Sequence, residues 1–212
     1  KDVDALVLDT AHGHSQGVLD VANKVKSKYG NIDLIAGNVA TSDGAKALMD
    51  NGVDIVKIGI GAGSSCTTRI VAGVGIPQLS SVMDCAETIQ KYNKTMISDG
   101  GMRFSGDISK SLAAGANAVM LGGIFAGTEE SPGEVVLWEG RTYKSYRGMG
   151  SIAAMKDGSS DRYFQNSSDS KKLVPEGIEG LVPYKGNLSE TVHQLVGGIK
   201  SCLGYCGSQN LS

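Results

Sequence analysis

Short apolar runs alternate with amphipathic stretches along the first 127 residues of the chain. Ala5-Leu6-Val7-Leu8 ends at Asp9, Leu34-Ile35-Ala36 ends at Gly37-Asn38, and Ile55-Val56-Lys57-Ile58 enters a glycine-rich loop. Thr95-Met96-Ile97-Ser98 ends at Asp99-Gly100-Gly101, and Ala118-Val119-Met120-Leu121 at Gly122-Gly123. Such brief apolar segments, bounded by turn residues, read as buried strands. Residues 15–28, 43–51, 83–92 and 106–114 carry the helical period between them. Strand, polar or glycine-rich end, helix, strand recurs roughly every 20–30 residues, the pattern of parallel βα units. The polar residues fall at the C-terminal ends of the strands, where a (β/α)8 TIM barrel assembles its site. A doubly wound open sheet is the competing α/β architecture, but it concentrates binding in one phosphate turn. Decoration of every strand end favours the barrel. Five strands are visible where a closed barrel has eight, so residues 1–127 read as about five of its later βα units.

The pattern breaks after residue 127. Residues 128–187 hold Trp138, most of the tyrosines and the polar stretches 157–161 and 165–172. They read as an inserted antiparallel finger with a mobile flap. Residues 188–212 return to an apolar helical period as a terminal helix, with Cys202 and Cys206 on one face as packing residues.

Composition narrows the function classes. The chain has 212 residues, 41% of them hydrophobic, and a net charge of -2. That is a globular balance with no electrostatic case for a nucleic-acid partner. Thirty glycines are about twice the usual share, and they cluster after apolar runs as ligand-facing loops. Four cysteines (Cys66, Cys85, Cys202, Cys206) form no CxxC pair, which favours a reducing, cytoplasmic setting. No apolar stretch reaches the ~18 residues of a membrane span, and the opening Lys1-Asp2-Val3-Asp4 leads into a strand without a leader-like segment.

The strongest chemical signal is the loop Gly59-Ile60-Gly61-Ala62-Gly63-Ser64-Ser65-Cys66-Thr67-Thr68-Arg69. Three glycines let the backbone turn tightly and aim amides and carbonyls at a ligand. Cys66 follows them, beside hydroxyls and an arginine, and is placed for nucleophilic attack on a phosphorylated substrate. The bland reading, a packed structural thiol, suits Cys85 better. Gly100-Gly101 and Gly122-Gly123 end consecutive strands, as phosphate-binding turns do in barrels; plain tight turns are the alternative. Asp99 can accept from vicinal sugar hydroxyls. His12 and His14 form an HxH at a strand end, and with only His193 elsewhere they read as loop histidines before metal ligands. Arg162-Tyr163 sits in the polar flap, where a solvated charge beside an anchoring tyrosine is the default.

Taken together these residues resemble the IMP dehydrogenase family. The likeness runs through Leu8-Asp9-Thr10-Ala11-His12-Gly13-His14, Ala36-Gly37-Asn38-Val39, the Gly59-to-Arg69 loop, Ser98-Asp99-Gly100-Gly101 and Phe125-Ala126-Gly127-Thr128-Glu129-Glu130. It continues through Ser145-Tyr146-Arg147-Gly148-Met149-Gly150-Ser151, Asp161-Arg162-Tyr163-Phe164 and Val174-Pro175-Glu176-Gly177-Ile178-Glu179-Gly180. The resemblance implies NAD-dependent oxidation of IMP to XMP, the committed step of guanine nucleotide synthesis. Cys66 would attack C2 of the purine, and Arg162 would activate water with Tyr163 and Thr68 positioning it. Asp99 would hold the ribose of IMP, and Ser64, Gly101, Gly122, Gly123 and Tyr146 its phosphate. Gly148, Met149, Gly150 and Glu176 would surround the base. Asp9, Asn38, Gly59 and Gly61 would face NAD, and the carbonyls of Gly61, Gly63 and Cys66 would line a potassium site. A cytoplasmic homotetramer is also implied, with the remaining barrel strands supplied by the rest of the protein.

GMP reductase is the nearest rival. It shares the cysteine loop and the double-glycine ends but lacks the Arg-Tyr pair, having no hydrolysis to perform. Gly123 points toward it, because the dehydrogenases usually carry serine there. Ala62 and Ser65 also depart from the usual loop residues. Two further readings stay open: a non-catalytic barrel fragment, and a flavin or phosphate-sugar barrel enzyme, which would leave Cys66 and Arg162-Tyr163 unexplained.

Overall fold

The computed structural model describes residues 3–165 and 172–211. The first elements alternate as the sequence pattern predicts. In chain order they are β1 (Ala5–Asp9), α1 (Gln16–Lys28), β2 (Asp33–Val39), α2 (Ser42–Asp50), β3 (Ile55–Ile58), a single turn α3 (Thr68–Val71), α4 (Gln78–Lys91), β4 (Thr95–Asp99), α5 (Ser105–Ala113) and β5 (Ala118–Met120). Two compact units share the chain. One comprises Lys1–Ala62, Gly75–Asp99 and Ala114–Met120; the other comprises Gly63–Val74, Gly100–Ala113 and Leu121–Ser212.

The first unit is a parallel sheet in the order β1-β2-β3-β4-β5. A doubly wound sheet reverses its strand order partway. Here each crossover steps to the next strand in the same direction, which is the winding of an α/β barrel. Burial rises from the edges to the middle: Val7 on β1 is 57% exposed and Met120 on β5 42%, whereas Val56 and Ile58 on β3 are fully buried. The core joins β2, β3 and β4 to the inner faces of α1, α2 and α4 through residues such as Ala22, Leu34, Leu48, Val82, Cys85 and Met96.

Local signals fix the helices. Thr41 caps α2, its hydroxyl accepting the Gly44 N–H at 3.3 Å, and Lys26 and Lys28 sit in the last turn of α1, where they complement the helix dipole. The apolar period predicts α4 from residue 83; the helix starts at Gln78, immediately after Pro77 at φ -55. Pro77 stands at the N-cap with ψ 130, outside the helix, and proline favours an extended residue before it, so the helix starts at Gln78. Asp54, in the turn before β3, ties three elements together. It pairs with Lys26 and Lys94, each at 2.6 Å, and accepts the Leu34 N–H at 3.0 Å.

The second unit contains the expected finger, an antiparallel sheet of β6 (Val135–Trp138), β7 (Arg141–Arg147) and β8 (Glu179–Pro183) in that order. Trp138 pairs with Arg141 across Glu139 and Gly140, both at positive φ (49° and 73°). A two-residue loop with both residues left-handed matches the twist of a hairpin. Beneath it Lys144 is 2% exposed. Its ammonium donates to the carbonyls of Thr128 (2.9 Å), Glu129 (3.0 Å) and Ser131, closing the 128–131 turn around a fixed internal cation.

The flap begins with α6 (Ile152–Ala154), capped by Ser151, and continues through a wide turn over Met155–Ser159 into a 3-10 turn over Asp161–Tyr163. Most of the polar stretch 165–172 lies outside the described residues. The last helix, α7 (Leu188–Cys206), packs on α5 and ends at Gly207 in the left-handed conformation. The packing role expected of its two cysteines does not hold, because Cys202 is half-buried and Cys206 exposed. They share a helical face, but Cys206 lies in the final turn beside Tyr205, itself 95% exposed.

Candidate active site

In the second unit the structure gathers most of the residues that the motifs single out. Cys66 is half-buried, held by a bridge to Gly177, with the Thr67 N–H donating to the Glu176 carbonyl at 2.8 Å and the Ile178 N–H to the Ser65 carbonyl at 2.9 Å. Its Sγ donates to Thr68 Oγ1 at 3.2 Å, and Thr68 Oγ1 donates to Glu176 Oε2 at 2.7 Å. A thiol, a hydroxyl and a carboxylate thus form one chain, able to pass a proton from sulfur toward the carboxylate. The helix that follows Cys66 is α3, and one turn adds little dipole.

The flap pair stands at the same place. A Cβ on Gly150 would lie 3.0 Å from the ring of Tyr163 and from the carbonyl carbon of Glu176, and the Glu176 N–H donates to the Gly150 carbonyl at 3.0 Å. Gly150 therefore lets Tyr163 and Glu176 close onto the backbone together. Burial pushes the Tyr163 hydroxyl up from its ordinary value; the hydrogen-bonded Arg162 guanidinium opposes this, and Cys66 and Glu176 add to it. Tyr163 is thereby kept protonated, a neutral donor between cation and carboxylate. Met149 contributes its carbonyl, which accepts from Ser159 Oγ at 2.6 Å, while its side chain is 55% exposed.

The glycine ends and the serines make a second corner of this unit. Ser65 Oγ donates to Tyr146 Oη at 3.3 Å. A Cβ on Gly122 would meet Tyr146 Oη at 3.1 Å, one on Gly148 would meet the Ser65 carbonyl at 2.9 Å, and one on Gly123 would meet Ser64 Oγ at 2.5 Å. Hydroxyls and bare backbone around one spot suit an anion such as phosphate. A side chain at 123 would have to share this corner with the Ser64 hydroxyl, which can rotate away. Gly100 and Gly101 are both left-handed (φ 80° and 78°), but it is Gly100 that nears the loop, since a Cβ there would lie 3.7 Å from Gly63.

In the first unit four predicted residues meet at the ends of β1 to β4. Asn38 is buried and donates through Nδ2 to the Gly59 carbonyl at 2.7 Å and to Asp99 Oδ2 at 3.0 Å. Gly59, at φ 143, has no room for a side chain, since its Cβ would fall 2.5 Å from the Asp99 carbonyl. Asp9 and Asp99 both pair with Lys57, Asp9 at 3.0 Å. Motif reasoning passes over Lys57, although a lysine inside the apolar run Ile55-Val56-Lys57-Ile58 is a signal for it. Gly61 is left-handed at φ 71. His12 and His14 are exposed, and among the described residues no cluster of three His, Cys, Asp or Glu could hold a metal. No helix of the described residues is long and apolar enough to cross a membrane.

Comparison with known proteins agrees with these motifs. The sequence model of the IMP dehydrogenase / GMP reductase domain matches residues 1–212. The chain is 60% identical over 210 residues to the inosine-5'-monophosphate dehydrogenase of Bacillus subtilis, covering 99% of this chain and 43% of that protein. It is 59% identical over 212 residues to that of Chlorobaculum parvum, covering 99% and 43%. With the enzyme of the same name from Streptococcus pyogenes it shares 60% over 209 residues, 98% of this chain and 42% of the relative. The chain thus spans less than half the length of the relatives it matches. Its strand order, its cysteine loop and a domain match from end to end lead to one conclusion: the chain belongs to the IMP dehydrogenase / GMP reductase family.

Proposed function

We propose that the protein carrying this chain oxidises IMP to XMP with NAD, in two steps that share Cys66. The observation that carries the reading is the meeting of the Cys66-Thr68-Glu176 chain with Tyr163 and Arg162 at Gly150. A thiol alone would serve either family activity. A half-buried Arg-Tyr pair beside the same thiol suits an enzyme that must also hydrolyse an adduct.

In the first step the Cys66 sulfur bonds to C2 of the purine, its proton leaving along Thr68 to Glu176. The hydrogen on C2 departs with its electron pair, and a bound nicotinamide ring supplies the acceptor. In the second step water adds to C2, the C2–S bond breaks, XMP leaves and Cys66 regains a proton. Tyr163 and Thr68 position that water and Arg162 draws off its proton. Arginine is a weak base in open water, so this role belongs to a closed flap. The Asp9, Asn38 and Gly59 cluster offers NAD hydroxyl-binding carboxylate and amide groups, a chemistry that fits a ribose diol. Carbonyl oxygens of the glycine-rich loop are hard donors of the kind a monovalent cation such as potassium takes, and Gly61, Gly63 and Cys66 would supply them.

The test is NADH formation, followed by its near-ultraviolet absorbance, with IMP, NAD and potassium, alongside Cys66→Ala. Activity that disappears in the variant supports the proposal. NADPH-dependent conversion of GMP to IMP, with no NADH formed from IMP, would replace it with the reductase reaction.

A further inference from the structure

Lys57 is 1% exposed on the central strand β3, between Val56 and Ile58, which are fully buried. Taking an ammonium out of water costs several kcal/mol unless it is well paired. Lys57 satisfies that cost with two carboxylates from two other strands, Asp9 of β1 at 3.0 Å and Asp99 of β4. Asn38 of β2 completes the group by donating to Asp99 Oδ2.

The sheet register explains how one lysine reaches both. Asp9 is the partner of Gly37, and Gly37 is the partner of Lys57, so the three form a row across β1, β2 and β3. The middle of the row carries no side chain. A Cβ on Gly37 would fall 2.5 Å from the Lys57 carbonyl and 2.8 Å from Lys57 Cβ, so the bare glycine is required for the lysine to be where it is. Asp99 lies two residues beyond Ile97, the partner of Lys57 on β4. The cation is thus wedged between the two carboxylates at the ends of their strands.

We propose that Lys57 is a positioning residue for both ligands at once, and this rests on the proposed function. Its single ammonium orients Asp99 toward the ribose hydroxyls of IMP and Asp9 toward the hydroxyls of the dinucleotide. Removing it weakens both ligands together, and each loss is routed through its own carboxylate.

The experiment measures KM for IMP, KM for NAD and kcat in the full-length protein for Lys57→Met, Asp9→Asn, Asp99→Asn and the two double variants. Charge-assisted hydrogen bonds contribute enough that K57M should raise each KM by about tenfold or more. D99N should act on IMP and D9N on NAD. Adding K57M to D99N should give no further loss for IMP while keeping its full effect on NAD, with the mirror result in D9N. Lys57→Gln, which keeps a neutral donor, should recover part of both losses, and it takes the place of K57M should that variant not fold. Unchanged KM values in K57M or K57Q would overturn the inference, as would losses that simply multiply with those of D99N and D9N. A wild-type protein that fails to turn over IMP would instead remove the proposed function, so the two failures are distinguishable.

Discussion

Two of the cysteines should differ sharply in reactivity, and the structure sets the scale. Burial, with a smaller contribution from Asp84, pushes the Cys85 thiol up to about 12, from an ordinary 9.0. At about pH 8 its thiolate is then roughly one part in 10,000, against about a quarter for a free thiol with a pKa near 8.5. That is a deficit of about two-thousandfold. A more basic thiolate is also more nucleophilic, with a Brønsted slope of about 0.4–0.5, which returns roughly twenty-five- to fifty-five-fold. Thiol chemistry alone therefore leaves Cys85 slower by something under a hundredfold. Packing must supply the rest, because the side chain is fully buried in the core and can meet a reagent only through local opening. Cys66 is half-buried on a loop and carries no such barrier. A brief iodoacetamide pulse followed by tryptic mass mapping reads both, since Lys57, Arg69 and Lys91 place the two thiols on separate peptides. We expect Cys66 to label at least about a hundredfold faster than Cys85, IMP to protect Cys66 without affecting exposed Cys206, and all four thiols to label after denaturation. A native Cys85 rate within about threefold of Cys66 would refute the argument.

Three other outcomes follow from named contacts. Burial disfavours the Asp54 carboxylate, but hydrogen bonds from Lys26, Lys94 and the Leu34 amide outweigh it and hold Asp54 at about 2, against 3.8 ordinarily. Because the folded value is depressed, this stabilisation is complete above about pH 4 and fades as pH falls toward about 2; after solvent screening, Asp54→Asn should cost about 1–2 kcal/mol at neutral pH and flatten that limb of a melting-versus-pH curve. Gly150→Ala drives a methyl against Tyr163 and Glu176; a burst of NADH followed by turnover slowed about tenfold or more is expected, with the Cys66 adduct visible by intact mass. Lys144→Met leaves three carbonyls of the 128–131 turn without their donor, which should cost about 2–4 kcal/mol and open that turn to proteolysis, read by thermal melting and limited digestion.

The barrel strands are legible because each is an apolar run with a polar end, and local pattern decides such segments. The finger is legible only as a region, because Glu139-Gly140 is not one of the dipeptides that mark a hairpin turn. What stays hidden depends on distant partners. Thr68 and Glu176 are 108 positions apart, and nothing in either motif says that one bonds the other. The glycine at 123 reads as a departure toward the reductase, and the sequence does not show that it stands beside the Ser64 hydroxyl. Lys57 is visible as an oddity, a charge within an apolar strand, but its meaning requires knowing that Asp9, Gly37 and Lys57 share a row. The start of α4 escapes the apolar period, which takes no account of Pro77 at the N-cap.

That row has a consequence for how this sequence can change over generations. A side chain at position 37 and the present backbone and side chain at position 57 compete for the same volume. Drift at the two sites is therefore coupled: a lineage that acquires alanine at 37 must reshape strand β3, and the lysine is the first thing such a shift would displace. A lineage that loses the lysine first leaves Asp9 and Asp99 without their shared counter-ion, yet must still keep the glycine, because any residue at 57 presents the same carbonyl and any but glycine the same Cβ. Among variants of this protein, natural or drawn from a randomised library, Gly37 should persist even where Lys57 is replaced, whereas a replaced Gly37 should be accompanied by change along β3.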